Sequence, residues 1–267
     1  MFVIQKEEGK TPLEALEELR REKGLTDDVP MTYAGRLDPM AEGRLLILVG
    51  DECKKKEEYL GLDKEYEIEV LLGIGSDTGD VLGVIEIDNR KVNREVQIGS
   101  KIGADIINEK IIAERIKFLT GKRSEKYPSF SSKTVNGKPL FVHMREGGIK
   151  NGLINDGNTD AVEIPEKIIE IYEIDLLGIE LIGIEDLIKI SIERIKKVKG
   201  DFRQNEIIQS WQKNDSSSLR FQIIKLRVKS SSGAYMRTLA QKFGELCDTK
   251  AIAWKIKRTK IGDYSIN

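Results

Sequence analysis

Histidine and cysteine are almost missing from this 267-residue chain, which has one of the former, His143, and two of the latter, Cys53 and Cys247. One imidazole leaves no room for a multi-histidine metal site. Two thiols far apart in sequence have neither metal-ligand spacing nor the density of a disulfide framework. They are expected as reduced, buried thiols, and His143 as an ordinary packed residue. No apolar run is long enough to cross a bilayer. The N-terminus, Met1-Phe2-Val3-Ile4 followed by Lys6-Glu7-Glu8, lacks a secretory apolar region, so a cytoplasmic protein is expected. Gly73 to Gly79 is glycine-rich but is not followed by Lys-Ser/Thr, which excludes a phosphate-binding P-loop. Neither sign of charge prevails: 44 Lys and Arg against 45 Asp and Glu leave a net charge of −1. A polyanionic partner would therefore be met by local groups of cations, not by the field of the whole protein. Candidate groups are Lys54-Lys55-Lys56, Lys122-Arg123 with Lys126, Lys133, Lys138, Arg145, and Lys255 to Lys260.

What is present is a core-forming composition, 39% hydrophobic and 33% charged, with no repeat and no low-complexity tract. Thr11-Pro12-Leu13-Glu14 has the hydroxyl, proline and carboxylate of a capped helix start, with Leu13, Leu16 and Leu19 inward and Gly24 as its stop. Glu65 to Leu72 alternates, placing Tyr66, Ile68, Val70 and Leu72 on one face and Glu65, Glu67 and Glu69 on a wet one. Gly73 to Gly79 reads as a turn, Asn108 to Leu119 as a helix ended by Gly121, and Ile168 to Leu181 and Leu219 to Lys229 as strands. In the last of these the inward set changes from Leu219, Phe221 and Ile223 to Ile224, Leu226 and Val228, which predicts a bulge near Ile223. Ala234 to Cys247 is helical, with Met236, Leu239, Ala240 and Phe243 inward. Strands and helices mix without regular βαβ alternation, so the fold class is α+β: a mainly antiparallel sheet flanked by helices.

The chemistry-bearing stretch is Tyr33-Ala34-Gly35-Arg36-Leu37-Asp38-Pro39-Met40-Ala41-Glu42-Gly43. It sets one carboxylate, Asp38, in a loop bounded by glycines and followed at once by Leu45-Leu46-Ile47-Leu48-Val49, a buried strand or a core helix segment. Proline fixes its own φ and pushes Asp38 toward extended backbone. An acid held rigidly beside a core element is suited to catalysis, whereas an isolated Leu-Asp-Pro is ordinarily a turn.

Gly35-Arg36-Leu37-Asp38-Pro39-Met40-Ala41-Glu42-Gly43 resembles the Gly-x-Leu-Asp-Pro-x-Ala-x-Gly signature of bacterial-type tRNA pseudouridine 55 synthases, the TruB family. Four further segments agree, in family order. They are Lys64-Glu65-Tyr66 with Ser76-Asp77-Thr78-Gly79-Asp80 and Gly83; Tyr127-Pro128-Ser129-Phe130-Ser131-Ser132 with Gly137, Leu140, Arg145 and Gly147; Ser231-Ser232-Gly233-Ala234-Tyr235-Met236-Arg237-Thr238-Leu239; and Ile256-Lys257-Arg258-Thr259-Lys260-Ile261-Gly262-Asp263-Tyr264. Together they span most of the chain. There are departures. Tyr33 stands where the family usually has His. Gln5-Lys6-Glu7-Glu8-Gly9-Lys10-Thr11 keeps only the Lys, the Gly and a hydroxyl of the family's opening. Lys133 lies one residue before the expected Lys position. The family commonly continues into a small RNA-binding (PUA) domain, and this sequence stops at Asn267, so one catalytic domain over 1–267 is expected.

The resemblance implies conversion of a uridine to pseudouridine, at position 55 in the T loop of tRNA, by a monomer needing no metal and no cofactor. It makes Asp38 the nucleophile or base, Arg237 its guanidinium partner, and Tyr66 the ring that stacks on the target base. It makes Lys6, Tyr33, Arg36, Tyr235, Lys133, Arg145 and Arg258 substrate contacts. The carboxylate could attack C1′, attack C6, or remove the C2′ proton. Two other classes stay open: an RNA-binding or tRNA-folding module of the same fold without turnover, and, more remotely, a nucleotide-phosphate enzyme using Gly73 to Gly79. Residues 182–218 are not supplied by the family pattern. Ile184, Leu187, Ile188, Ser191, Ile192 and Ile195 repeat at helical spacing, a second helix is expected around Asn205 to Trp211, and a loop at Asn214 to Ser218. Arg194, Lys196, Lys197, Lys199 and Arg203 gather there, so the insert is expected either to cover the sheet or to add an RNA grip.

Overall fold

The structure is a computed structural model that describes residues 1–88, 101–102, 107–150, 152–155, 162–213 and 219–264. The loop expected at Asn214 to Ser218 lies outside the described residues. Among them, nine strands form one sheet. Its main path runs Phe2–Lys6, Ala41–Val49, Ala251–Ile261, Lys64–Leu72, Leu219–Ser230, Glu166–Gly183, Gly121–Lys126. Met31–Ala34 joins beside Ala41–Val49, and Lys101–Ile102 beside Leu219–Ser230. Pairing is antiparallel except where Ala251–Ile261 meets Ala41–Val49 and where Lys101–Ile102 meets Leu219–Ser230. The stretch Leu45 to Val49 is thus a strand, as a β-branched and leucine-rich run between paired neighbours can be.

Both faces of the sheet are covered, and this decides several details. Helices Pro12–Glu22, Glu109–Ile116 and Met236–Leu246 cover one face, where Leu16, Ile68, Leu226 and Phe243 pack together. Helices Ile184–Ile195 and Gln204–Gln212 cover the other, around Trp211, Phe221, Ile223 and Trp254. The expected bulge at Ile223 is not there. Phe221 and Ile223 belong to one core and Ile224, Leu226 and Val228 to the other, because a strand buried on both faces shows no single inward set. The register shifts lie on the partner strand instead, between Ile171 and Glu173 and between Leu176 and Gly178.

Helix Pro12–Glu22 has its full capping box, Thr11 accepting from the Glu14 amide and Glu14 reaching back to Thr11. Its buried face runs Pro12, Ala15, Leu16, Leu19, and Leu13 points outward, contrary to expectation. Gly73 to Gly79 is not only a turn: Ile74–Ser76 pairs with Ile85–Ile87 as a small hairpin. The wet face of Lys64–Leu72 is partly closed, since Glu65 is buried against Thr259 and Lys260. Cys247 is buried but Cys53 is half-buried, its thiol facing the carbonyls of Pro30 and Leu48. His143 is buried with Nε2 on the Val135 carbonyl.

Candidate active site

The Asp38 loop links strand Met31–Ala34 to strand Ala41–Val49 at the parallel junction with Ala251–Ile261. A Cβ on Gly43 would lie 2.3 Å from the Arg258 carbonyl, and its φ is +113°, so this junction admits only glycine. Two buried cations clamp the loop. Arg258 donates from Nε to the Arg44 carbonyl at 2.8 Å and from Nη2 to the Gly35 carbonyl at 2.9 Å. Lys6 donates to the carbonyls of Lys10 at 2.6 Å, Glu7 at 3.0 Å and Pro39 at 3.4 Å. The Gly9 amide adds a second bond to the Pro39 carbonyl, at 2.9 Å. Asp38 is thus held on both sides by backbone contacts.

Its carboxylate meets Arg237, the second residue of helix Met236–Leu246. Arg237 Nε lies 2.8 Å from Asp38 Oδ2 and Nη2 lies 3.3 Å from Oδ1. The remaining donors go to the Thr78 carbonyl at 2.7 Å and the Phe130 carbonyl at 3.1 Å. Asp80, buried, is 3.8 Å from Arg237 Nε and is itself satisfied by the Thr78 hydroxyl and the Leu82 amide. Burial works against the charge on Arg237, but the carboxylates of Asp38 and Asp80 outweigh it and its pKa is raised. Burial raises the pKa of Asp80, with Arg237 opposing. The asymmetry matters: the Arg237 side chain is 4% exposed and that of Asp38 31%, so the carboxylate faces outward from a buried cation.

It faces a cavity of about 860 Å³, within the range of ligand sites. Tyr66, Tyr235, Arg36, Lys133, Arg145 and Arg258 also line it. Tyr66 is buried and stands opposite Arg258 in the sheet register. Tyr235 packs edge-on against Tyr127 at 6.1 Å, and burial, then Asp38, push its hydroxyl up to about 12. Arg36 and Lys133 are exposed and have no carboxylate partner among the described residues, Lys133 lying 5.3 Å over the Tyr127 ring. Arg145 lies between the rings of Phe141 and Phe202, 5.9 Å from each, and bonds the Asp201 carbonyl.

Three expected contacts are placed otherwise. Lys6 is 0% exposed, and burial lowers its pKa to about 8. With its amine on three carbonyls it is part of the scaffold of the loop. Arg258 lines the cavity but its guanidinium is buried, burial lowers its pKa, and its donors also hold carbonyls. Tyr33 lies outside the cavity, under the Lys56 amine. Sequence reading missed four lining residues. Asp80 stood in a quoted motif and could have been weighed as a second acid. Lys64 likewise stood in a quoted motif, while Lys167 and Arg203 carry no local signal for this cavity, since only the sheet and the second pair of helices bring them here.

Among the described residues no group of His, Cys, Asp and Glu could hold a metal ion, and no helix is long and apolar enough to cross a membrane. The chain is 27% identical, over its whole length, to tRNA pseudouridine synthase B of Aromatoleum aromaticum, of which it spans 64%. It is 25% identical to the protein of that name from Chloroherpeton thalassium, covering 100% of this chain and 84% of the relative. A chain in the crystal structure of a Cbf5-Nop10-Gar1 complex superposes with a TM-score of 0.54 at 16% identity, over 98% of this chain and 49% of that one, a likeness of fold. Residues 25–198 match the family model described as TruB family pseudouridylate synthase (N terminal domain), well over half of the chain. The chain is therefore a member of the TruB family of pseudouridylate synthases.

Proposed function

We propose that this protein isomerises a uridine of tRNA to pseudouridine, at position 55 of the T loop, with Asp38 as the reacting carboxylate. The observation that carries the reading is the outward-facing Asp38 carboxylate braced on a buried guanidinium, at the floor of a cavity in a member of this family. The curated relatives bearing the name tRNA pseudouridine synthase B support the substrate class. In the reaction the N1–C1′ bond breaks, the uracil turns in place, a C5–C1′ bond forms, C5 loses its proton and N1 gains one. Nothing is added or removed overall. The chain's contribution is a carboxylate fixed on the Arg237 guanidinium and able to act as nucleophile or base, and a cavity that holds the detached base.

The target nucleotide must leave its stack to reach Asp38. Tyr66 offers the base a buried ring, and Arg36, Lys133 and Arg145 at the rim offer cations to the RNA backbone. The test is incubation of unmodified tRNA and of a T-arm minihelix with the protein, followed by carbodiimide labelling of pseudouridine. Label at position 55, lost when that uridine is replaced by cytidine, is the expected result. Tight binding without label would identify a non-catalytic RNA module, and label elsewhere would move the substrate.

A further inference from the structure

We infer that the helical pair Ile184–Gln212 is neither a mere cover nor an RNA grip: two of its arginines, Arg194 and Arg203, hold the Asp38–Arg237 pair in register. The inference deepens the proposed function, and one arm of its test is independent of that function.

Arg194 serves the Asp38 side. It is buried, its Nε and Nη2 lie 2.8 and 2.6 Å from Glu8 Oε2, and its guanidinium stacks 4.8 Å from the Trp254 ring. Burial alone would raise the Glu8 pKa, but Arg194 and then Lys197 lower it on balance, so the pair stays ionised. Glu8 adjoins Gly9, whose amide holds the Pro39 carbonyl next to Asp38. Gly9 has φ +92°, and a Cβ there would lie 2.6 Å from Lys197 Cβ, so the end of the helix rests directly on this loop. The helix therefore reaches Asp38 through two short steps, Glu8 and the Gly9–Pro39 bond.

Arg203 serves the Arg237 side. It is a non-glycine residue at φ +62°, in the turn that caps helix Gln204–Gln212. Its Nη1 is 2.9 Å from Asp77 Oδ2, and its guanidinium lies 4.9 Å from the Phe130 ring. Arg237 sends its donors to two carbonyls besides Asp38, those of Thr78 and Phe130. Arg203 thus grips one residue next to the first acceptor and the very residue that supplies the second. A guanidinium is aimed by its acceptors, and small displacements at a reacting group carry large rate penalties. Arg203 lines the cavity, but its charge is already engaged by Asp77 and, at 3.9 Å, by Glu206, which leaves little for a phosphate.

The test uses the full chain with R203Q, D77N, R194Q and the double variant R203Q/D77N. One readout needs no activity: hydrogen exchange of the Arg237 Nε–H, seen by nitrogen-15 NMR, which reports its bond to Asp38. The second is the single-turnover rate on saturating tRNA, with tRNA affinity and its salt dependence measured in parallel. Positioning predicts exchange about tenfold faster in R203Q and in D77N, and no further change in the double variant. It predicts a saturated rate at least about tenfold lower, with affinity and salt slope within twofold of wild type, and partial recovery in R203K. Unchanged Arg237 exchange in R203Q and D77N overturns the inference. So does a weakened affinity with a shallower salt slope and an unaltered saturated rate, which would make Arg203 a phosphate contact. If R194Q fails to fold, the half-buried Arg203 arm decides. A wild-type protein that makes no pseudouridine overturns the proposed function alone, because the exchange measurement still judges the positioning.

Discussion

Two buried arginines line one cavity, and they are built for different work. Arg258 gives its hydrogen bonds to the carbonyls of Arg44 and Gly35. Arg237 gives two to carbonyls and two to a carboxylate that is itself open to the cavity. Burial lowers the pKa of the first, while neighbouring carboxylates raise that of the second. A cation whose partners are all enclosed fixes a loop. A cation paired with an outward-facing carboxylate fixes that carboxylate at the place where a substrate would arrive. Lys6 belongs with Arg258, clamping the other end of the Asp38 loop at Pro39.

The comparison breaks first at Asp38. Asp38→Asn is expected to lower turnover by at least about 10⁴-fold, the scale seen when a reacting group is removed. The new amide can still accept from Arg237, so the thermal midpoint and tRNA affinity should stay close to wild type. Measurable turnover in carefully purified D38N protein, shown to be free of deamidation, would take Asp38 out of the chemistry.

The two arginines should then differ in kcat. Arg258→Met takes a donor from the Arg44 and Gly35 carbonyls, at roughly 1–3 kcal/mol each, so chemical denaturation should show a large loss of stability with kcat per folded molecule little changed. Arg237→Met takes donors from two carbonyls and two carboxylates and should cost at least as much stability, but it should also lower kcat about 10²-fold, as for loss of one preorganised electrostatic partner. Equal effects on stability and kcat from both substitutions would erase the distinction between scaffold and active-site cation.

How far the sequence anticipates this division depends on what kind of contact is involved. Asp38, Arg237 and Tyr66 sit in short local patterns whose neighbours already tell of a rigid loop, a core-facing helix and an inward strand position, and all three meet in the cavity. The α+β class, the capped first helix and the two helices after residue 182 follow from periodicity and caps in the same way. Lys6 and Arg258, expected as substrate contacts, hold backbone carbonyls in the structure; nothing in a sequence distinguishes a cation aimed at phosphates from one aimed at carbonyls. Only the pairing of Arg258 opposite Tyr66 and of Lys6 opposite Gly43 encloses them. The supposed bulge at Ile223 failed for a related reason: a strand with two cores loses the alternation from which its register is read. Arg203 and Lys167 reach the cavity through tertiary contacts between distant segments, for which composition and spacing carry no mark.

The scaffold cations also predict a pH dependence. Burial lowers both Lys6 and Lys64 to about 8 from an ordinary 10.5, against the pull of Asp38 and Glu8 at Lys6 and with the help of Arg258 and Lys167 at Lys64. Below pH 8 both are protonated in the folded and unfolded chain, and the fold carries the penalty of two buried charges. Between about 8 and 10.5 the unfolded chain holds protons that the folded chain has released, so stability rises with pH through that window. Asp38, Glu8, Arg258 and Glu14 surround Lys6, and Arg258, Lys167 and Asp63 surround Lys64. From pH 8 to 9.5 the gain should be on the order of 1 kcal/mol per lysine, read from urea midpoints. Lys6→Met should remove its share of the rise while lowering stability overall. A curve that is flat or falling across this window in the wild-type protein would mean that Lys6 and Lys64 titrate as ordinary exposed lysines.

The smallest effects concern the cations at the rim, and they sharpen the comparison by extending it to a third kind. Most surface lysines here face acids: Lys54 pairs with Asp51, Lys126 with Glu163, Lys255 with Glu69 and Lys260 with Glu65. Arg36 and Lys133 line the cavity, are exposed, and have no carboxylate partner among the described residues. In a chain of net charge −1 such free cations beside the site are the ones that polyanion binding can use. Lys133→Gln is expected to weaken tRNA affinity a few-fold and to reduce the slope of log affinity against log salt by about 1, the amount for one phosphate contact, with kcat unchanged. Lys196→Gln, on the exposed end of helix Ile184–Ile195, should change neither quantity by more than about the error of the measurement, because that helix works through Arg194 and not through its outer face. Were Lys196→Gln to shift the salt slope and Lys133→Gln to leave it alone, the RNA path would run over the helical pair, and the rim of the cavity would lose its part in binding.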